Sequence, residues 1–167
     1  MPTEPSRILG INPGSKYIGF AAFSGPDLLD WGLRVNHAKT PRGRIRVGVQ
    51  IFRETIHRFQ PATLALKRLH SSRTSTSLDR LTDLIKELSR RRKLTVHQYS
   101  ITQLKKALCP KRRCNKRELA AAMVAMHPVL SRDLQKEMTN PDPEHPYYLR
   151  MFEAVALGVV CYRHSKE

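Results

Sequence analysis

Residues 8–23, "ILGINPGSKYIGFAAF", decide how the rest of the chain is read. An apolar run, Ile8-Leu9-Gly10-Ile11, leads into Asn12-Pro13-Gly14-Ser15, and a second apolar run from Tyr17 to Phe23 follows at once. Two such runs around an Asn-Pro-Gly segment predict strand, tight turn, strand. Asn12 stands where the first strand ends, beside the glycine of the turn. A third strand candidate, Leu28 to Val35, follows the turn residues Ser24-Gly25-Pro26-Asp27. Residues 8–35 therefore read as three consecutive antiparallel strands.

Downstream the period changes. Ile45, Val49, Phe52, Ile56 and Phe59 fall at helical spacing, and Pro61 closes that helix. "ATLALK", residues 62–67, has the short apolar pattern of a buried parallel strand. A second helix fits Ser77 to Lys93, with Ser77 as N-cap. Leu78, Leu81, Leu84, Ile85 and Leu88 form its apolar face, expected to pack on the sheet. "LTVHQY", residues 94–99, reads as a fifth strand, and Ser100 with Gln103 makes a capping box for a short helix through Leu108. After the basic loop "CPKRRC", Asn115 with Glu118 starts a helix running to about Met126. A proline-rich loop spans 139–146, and an apolar helix runs from about Pro146 to Arg163. Three antiparallel strands, then strands joined through helices, give a mixed five-stranded α/β sheet with helices on both faces. This is the order of the ribonuclease H-like fold, expected as one domain over residues 1–167 with a short tail at 1–6.

The 167 residues suffice for one compact domain with a core. Lys and Arg number 30 against 14 Asp and Glu, a formal charge of +16. So large an excess predicts a polyanionic partner, because neutralised phosphates release counterions. The longest apolar stretch, Ala154 to Tyr162, is too short to span a bilayer, and the opening MPTEPSR has no apolar signal core. The expectation is a cytoplasmic protein without a membrane partner. The cysteines are Cys109, Cys114 and Cys161, and an odd count in that compartment argues against a disulfide framework. A zinc site wants about four ligands, and no second cysteine pair exists beside Cys109 and Cys114.

The ordered motifs resemble the RuvC-type Holliday junction resolvases. In that family the first strand ends in I-D-P-G-S/T, which "INPGS" resembles. "PATLALKRL" falls where the family has its fourth strand, ending in a catalytic glutamate. "VHQYSITQLKKAL" is similar to its fifth strand and following helix, and "RMFEAVALGVV" to its last helix. The resemblance implies binding of four-way junction or duplex DNA, and homodimers formed through the helix equivalent to Ser77–Lys93.

The family's acidic groups hold two magnesium ions. Carried over residue by residue, those positions fall on Asn12, Lys67, Arg150 and Glu153, and Glu153 alone keeps a carboxylate. Two-metal hydrolysis needs carboxylates to neutralise and space the ions. Like unit charges at ~4 Å repel by about 4 kcal/mol at an effective dielectric near 20, and a dication doubles this. Lys67 and Arg150 therefore oppose a metal cluster. They could instead replace the ions, each pairing with Glu153 beside Asn12, and still meet a phosphate. Blander readings compete: Asn12 as simple turn chemistry, Lys67 pointing to solvent, Arg150 in a shifted register. A relocated acidic set drawn from Asp27, Asp30, Asp79 and Asp83 is a further alternative.

Four basic clusters supply a candidate binding surface. Arg42 and Arg44 lie in the first; Lys67, Arg68 and Arg73 follow the fourth strand. "RRRK", residues 90–93, is the third; Lys111, Arg112, Arg113 and Lys116 belong to the fourth. Aromatics are 7% of the chain and not interleaved with these runs, so base stacking on single strands is poorly supported. The expectation is a nucleic-acid-binding protein that reads branched or duplex DNA through phosphates, with metal-dependent cleavage lost and no cofactor. An active junction endonuclease using Mg²⁺ is the alternative; a binder of structured RNA is the third.

Overall fold

The computed structural model describes residues 4–70, 74–140 and 148–167. Its strands are β1 Arg7–Asn12, β2 Tyr17–Ser24, β3 Asp27–Val35, β4 Thr63–Lys67 and β5 Thr95–Tyr99. They form one sheet in the order β3-β2-β1-β4-β5. β1 and β3 flank β2 antiparallel, while β1, β4 and β5 run parallel. The mixed sheet expected from residues 8–35 and the later helix-linked strands is thus present, in the ribonuclease H-like arrangement.

Helices cover both faces. α1 Pro41–Phe59 and α2 Thr76–Arg91 pack against Leu9, Ile11, Leu64 and Leu66. α3 Ile101–Leu108, α4 Lys116–Met126 and α6 Leu149–Ser165 pack against Ile8, Ala21, Phe23 and Ala65 on the other face, beside α5 Ser131–Met138. Strand alternation sends odd and even residues of β1 to opposite cores. α6 is buried from Met151 to Cys161 because it is wedged between the sheet and α3 and α4. The wedge is tight at Gly10, where an added Cβ would stand 2.2 Å from the Ala154 carbonyl oxygen.

Several boundaries differ from the sequence expectation. α2 is capped by Ser75, whose Oγ accepts the Leu78 N–H at 3.2 Å, and not by Ser77, which lies within the first turn. Adjacent hydroxyls make either serine a plausible cap by composition; backbone geometry selects the earlier one. Leu81 and Ile85 enter the core and Leu78 and Leu88 pack at its margin, but Leu84 lines a groove between α1 and α2. The α3 capping box and the Asn115 cap of α4 form as their spacing predicts. A 3-10 turn at Pro128–Leu130 and α5 were not anticipated; α5 is held to β3 by Trp31 Nε1, which donates to Asp133 Oδ2 at 3.0 Å. α6 begins at Leu149. The expected start at Pro146, most of the proline-rich loop and Arg73 lie outside the described residues.

The expectation for the cysteines is also corrected. Cys109 and Cys114 form a disulfide, and Cys161 is the free, buried thiol. Cys109 is the C-cap of α3 and Cys114 directly precedes the N-cap of α4, so the two helix ends bring the sulfurs together.

Candidate functional site

Parallel pairing of β1 with β4 aligns Ile11 with Leu66, so Asn12 and Lys67 leave the same end of the sheet side by side. Both share strand parity with residues packed against α6: Ile8 in β1 and Ala65 in β4. Glu153 comes to meet them from the first part of α6.

Glu153 is 3% exposed and Asn12 wholly buried. Lys67 Nζ stands 2.7 Å from Glu153 Oε2, to which Asn12 Nδ2 also donates. Asn12 Nδ2 donates further to the Arg150 carbonyl oxygen at 3.1 Å. Lys116 Nζ, from the first turn of α4, lies 3.0 Å from Glu153 Oε1 as an ion pair without hydrogen-bond alignment. Asn12 Oδ1 is buried without a hydrogen-bond partner.

These contacts explain the amide. Glu153 and the Arg150 carbonyl are both acceptors, and a side chain between them must donate. An aspartate there would need a cation or a proton to hold the three groups together. The asparagine N–H₂ supplies that bridge with no ion.

Arg150 departs from expectation. It does not pair with Glu153; its Nη1 reaches the Pro13 carbonyl oxygen at 3.4 Å. Helical side chains lean toward the N-terminus, which carries Arg150 away from Glu153 and over the β1–β2 turn. Gly14 leaves room there, since a Cβ would stand 2.6 Å from Nη1. The second cation on Glu153 is instead Lys116, read in the sequence only as a surface contact. No local spacing signals that pairing, because packing of α4 on α6 creates it.

Burial presses the Glu153 carboxyl upward, but Lys67 and Lys116 together outweigh it and hold the group below the ordinary glutamate range. Burial is also the main influence on Lys67 and lowers it; Glu153 opposes that shift, while Lys116 and Arg150 reinforce it. Burial lowers Arg150 against the pull of Glu153. Three cations around one carboxylate leave a surplus of two positive charges.

This donor set does not fit two magnesium ions. Its one carboxylate already faces an ammonium at each oxygen. The alternative acids do not assemble elsewhere. Asp30 pairs with Arg58 at 2.9 Å, Asp79 accepts from Thr74 at 2.7 Å, and Asp83 lies 4.0 Å from Lys86. Among the described residues no three His, Cys, Asp or Glu side chains form a metal-holding group.

Above the ion pairs opens a cleft of about 920 Å³. Lys67, Arg68, Lys105, Lys116 and Arg150 line it, and none of its described lining residues is acidic. Ser100 and Thr102 bring the N-terminus of α3 to the same wall, adding its positive dipole end. Lys105 is a lining cation that the sequence reading did not single out. Lys111, Arg112 and Arg113 are exposed on the loop before α4. Arg42 and Arg44 do not join the cleft; they open α1, and Arg42 lines the α1–α2 groove. Among the described residues no helix is long and apolar enough to cross a membrane.

The chain matches the family model described as "Crossover junction endodeoxyribonuclease RuvC" over residues 8–141. No curated protein sequence matches significantly. Among solved structures, T. thermophilus RuvC in complex with Holliday junction substrate is similar at 18% identity, with a TM-score of 0.68 and 96% of each chain covered. A Thermus thermophilus RuvC structure gives 19% identity with the same TM-score and coverage. The yeast mitochondrial Holliday junction resolvase Ydc2 is similar at 14% identity and TM-score 0.55, over 98% of this chain and 81% of that one. At these identities the structural likeness speaks for the fold.

Proposed function

The chain belongs to the RuvC family, and from that premise we propose that it binds branched or duplex DNA through phosphates at the Lys67–Arg150 cleft without metal-dependent cleavage. The observation that carries this reading is that the one carboxylate of the site is already taken up by cations: Lys67 and Lys116 sit on the two oxygens of Glu153. Ammonium and guanidinium groups at a cleft floor hold a phosphate without activating water against it. The overall charge of +16 and the basic cleft walls support a polyanionic ligand. The T. thermophilus RuvC solved with a Holliday junction substrate supports branched DNA as its class. The protein needs no metal cofactor in this role.

The test is incubation with a labelled four-way junction, the matching duplex and a structured RNA, with Mg²⁺, Mn²⁺ or EDTA. Binding to the junction that is equal in EDTA, with no strand cleavage, is the expected result. Metal-dependent nicking that disappears in Glu153→Gln overturns it in favour of an active endonuclease. Preference for the RNA over both DNAs overturns the choice of ligand.

A homodimer is part of the same proposal. Ile45, Val49, Leu84 and Leu88 line a groove of about 710 Å³ between α1 and α2, an apolar surface on the helix that the family resemblance points to.

A further inference from the structure

The Cys109–Cys114 disulfide closes a loop holding Lys111, Arg112 and Arg113, all exposed, and it ends one residue before the N-cap of α4. Lys116, the first residue of α4, then reaches Glu153 at the cleft floor. The crosslink therefore fastens three surface cations and one site cation into a single unit. Both cysteines are half-buried, their flanks against the α6-side core and the remainder open to solvent.

So short a loop, with cysteines five positions apart, removes less unfolded-chain entropy than a long-range crosslink. Global stability is a weak reason for this bond. Its position suits control of the loop: solvent-accessible disulfides exchange with thiols, whereas enclosed ones resist them. Four cations, Lys105, Lys106, Lys111 and Arg112, flank Cys109 and Pro110 in sequence, and Arg113 adjoins Cys114.

We propose that Cys109 and Cys114 are a reversible thiol–disulfide modification site that sets how tightly the basic loop binds DNA phosphates. The inference rests on the phosphate-binding reading of the cleft and adds its regulation. In the oxidised form the loop is held before binding, so fewer side chains lose freedom on contact with the duplex. Two molecules of a low-molecular-weight thiol supply the two electrons: the first attacks a sulfur and releases the other cysteine as thiolate. A second thiol then resolves the mixed disulfide, giving two cysteine thiols and one small-molecule disulfide. The freed loop keeps its charge and loses its order. Oxidation by the small-molecule disulfide reverses each step.

The experiment measures junction affinity of the full chain at fixed salt, in dithiothreitol and after oxidation with glutathione disulfide. Thiol alkylation and mass measurement count the free cysteines in each state. The Cys109→Ser/Cys114→Ser variant runs in parallel. Reduced wild type should bind about threefold to tenfold more weakly and recover on reoxidation; alkylation of the unfolded protein should count three free thiols in the reduced state and one, Cys161, in the oxidised state. The double variant should stay at the reduced value under both conditions; a response surviving in it belongs to Cys161 and overturns the assignment. Equal affinity of the two wild-type states overturns the modification proposal while leaving phosphate binding in place. Absence of binding in both states overturns both. Three free thiols after oxidation also overturn it.

Discussion

Lys67 Nζ and Glu153 Oε2 stand 2.7 Å apart at the end of β4, where the family resemblance implies one carboxylate facing another across metal ions. Glu153 is buried and Lys67 half-buried, with 4% and 14% of their side chains exposed. A buried pair contributes little over apolar replacements, but a stranded partner is costly. Glu153→Ala leaves Lys67 and Lys116 uncompensated and should lower stability by about 3–5 kcal/mol. Lys67→Met combined with Glu153→Leu should recover a large part of that loss. Urea denaturation of the three proteins checks this; a double variant no more stable than Glu153→Ala would show that the pair itself, and not the stranded charge, matters.

Acid should act through the same carboxylate. Glu153 titrates lower in the folded chain than its ordinary value of about 4.3, so the unfolded chain binds its proton first. Its stabilising contribution is fully present above that value and fades as pH falls through the lower folded one. Melting temperature recorded from about pH 6 to pH 3 should drop more steeply in wild type than in Glu153→Gln, which has no carboxyl to protonate. Parallel acid slopes would refute the assignment.

Asn12 was legible as a site residue only through its place at the end of β1. That it must donate could not be read there, because its two acceptors lie 138 and 141 residues away. The sheet itself was legible: apolar runs broken by Asn-Pro-Gly and Ser-Gly-Pro-Asp permit few arrangements, and the later strands carry helix-length connections. Caps written in neighbouring residues, Ser100–Gln103 and Asn115–Glu118, were also legible. Contacts made across the fold were not. Lys116 reaches Glu153 from another helix, and the odd cysteine count that Cys161 creates hides the Cys109–Cys114 bond. α5 has eight residues and no side-chain cap, and its anchor is Trp31 in a distant strand.

Asn12→Asp introduces the acid that the family resemblance implies at this position and should destabilise this protein. The new carboxylate faces the Glu153 carboxylate and the Arg150 carbonyl with no donor between them. The lost bridge should cost about 1–3 kcal/mol at neutral pH. Lowering the pH should recover part of it, since a protonated aspartate donates again. A variant as stable as wild type at pH 7 would mean that Lys67 or Lys116 moves in to neutralise the new charge.

Assembly through the α1–α2 groove carries an electrostatic signature. Arg42, Arg46, Arg53 and Arg91 rim the apolar floor, and Glu87 partly offsets them through its pair with Arg91 at 2.7 Å. Two copies meeting there bring arginines together, so added salt should tighten the dimer by screening. Light scattering across a salt series should show this, and Leu84→Asp should give a monomer at all concentrations. Monomeric wild type throughout would remove the dimer.

Salt also separates the two roles that Lys67 and Arg150 can play. If phosphate contact dominates DNA binding, log affinity falls with log salt at a slope of about −0.9 per neutralised phosphate. About six contacts would cost roughly a thousandfold between ~50 and ~200 mM salt. Changing Lys111, Arg112 and Arg113 together to Ala should reduce the slope by up to about three units, if all three reach phosphates. Affinity should weaken almost equally for all sequences, because phosphates carry no base code. Lys67→Ala with Arg150→Ala gives a mixed outcome from the geometry. Lys67 is committed to Glu153, so its loss should register mainly as a lower melting temperature. Arg150 lines the cleft on one long contact to Pro13 and is free to turn to a ligand, so its loss should reduce the slope by about one unit. A lower melting temperature with an unchanged slope in both single variants would confine the two cations to holding the fold. A wild-type slope near zero would overturn phosphate binding itself.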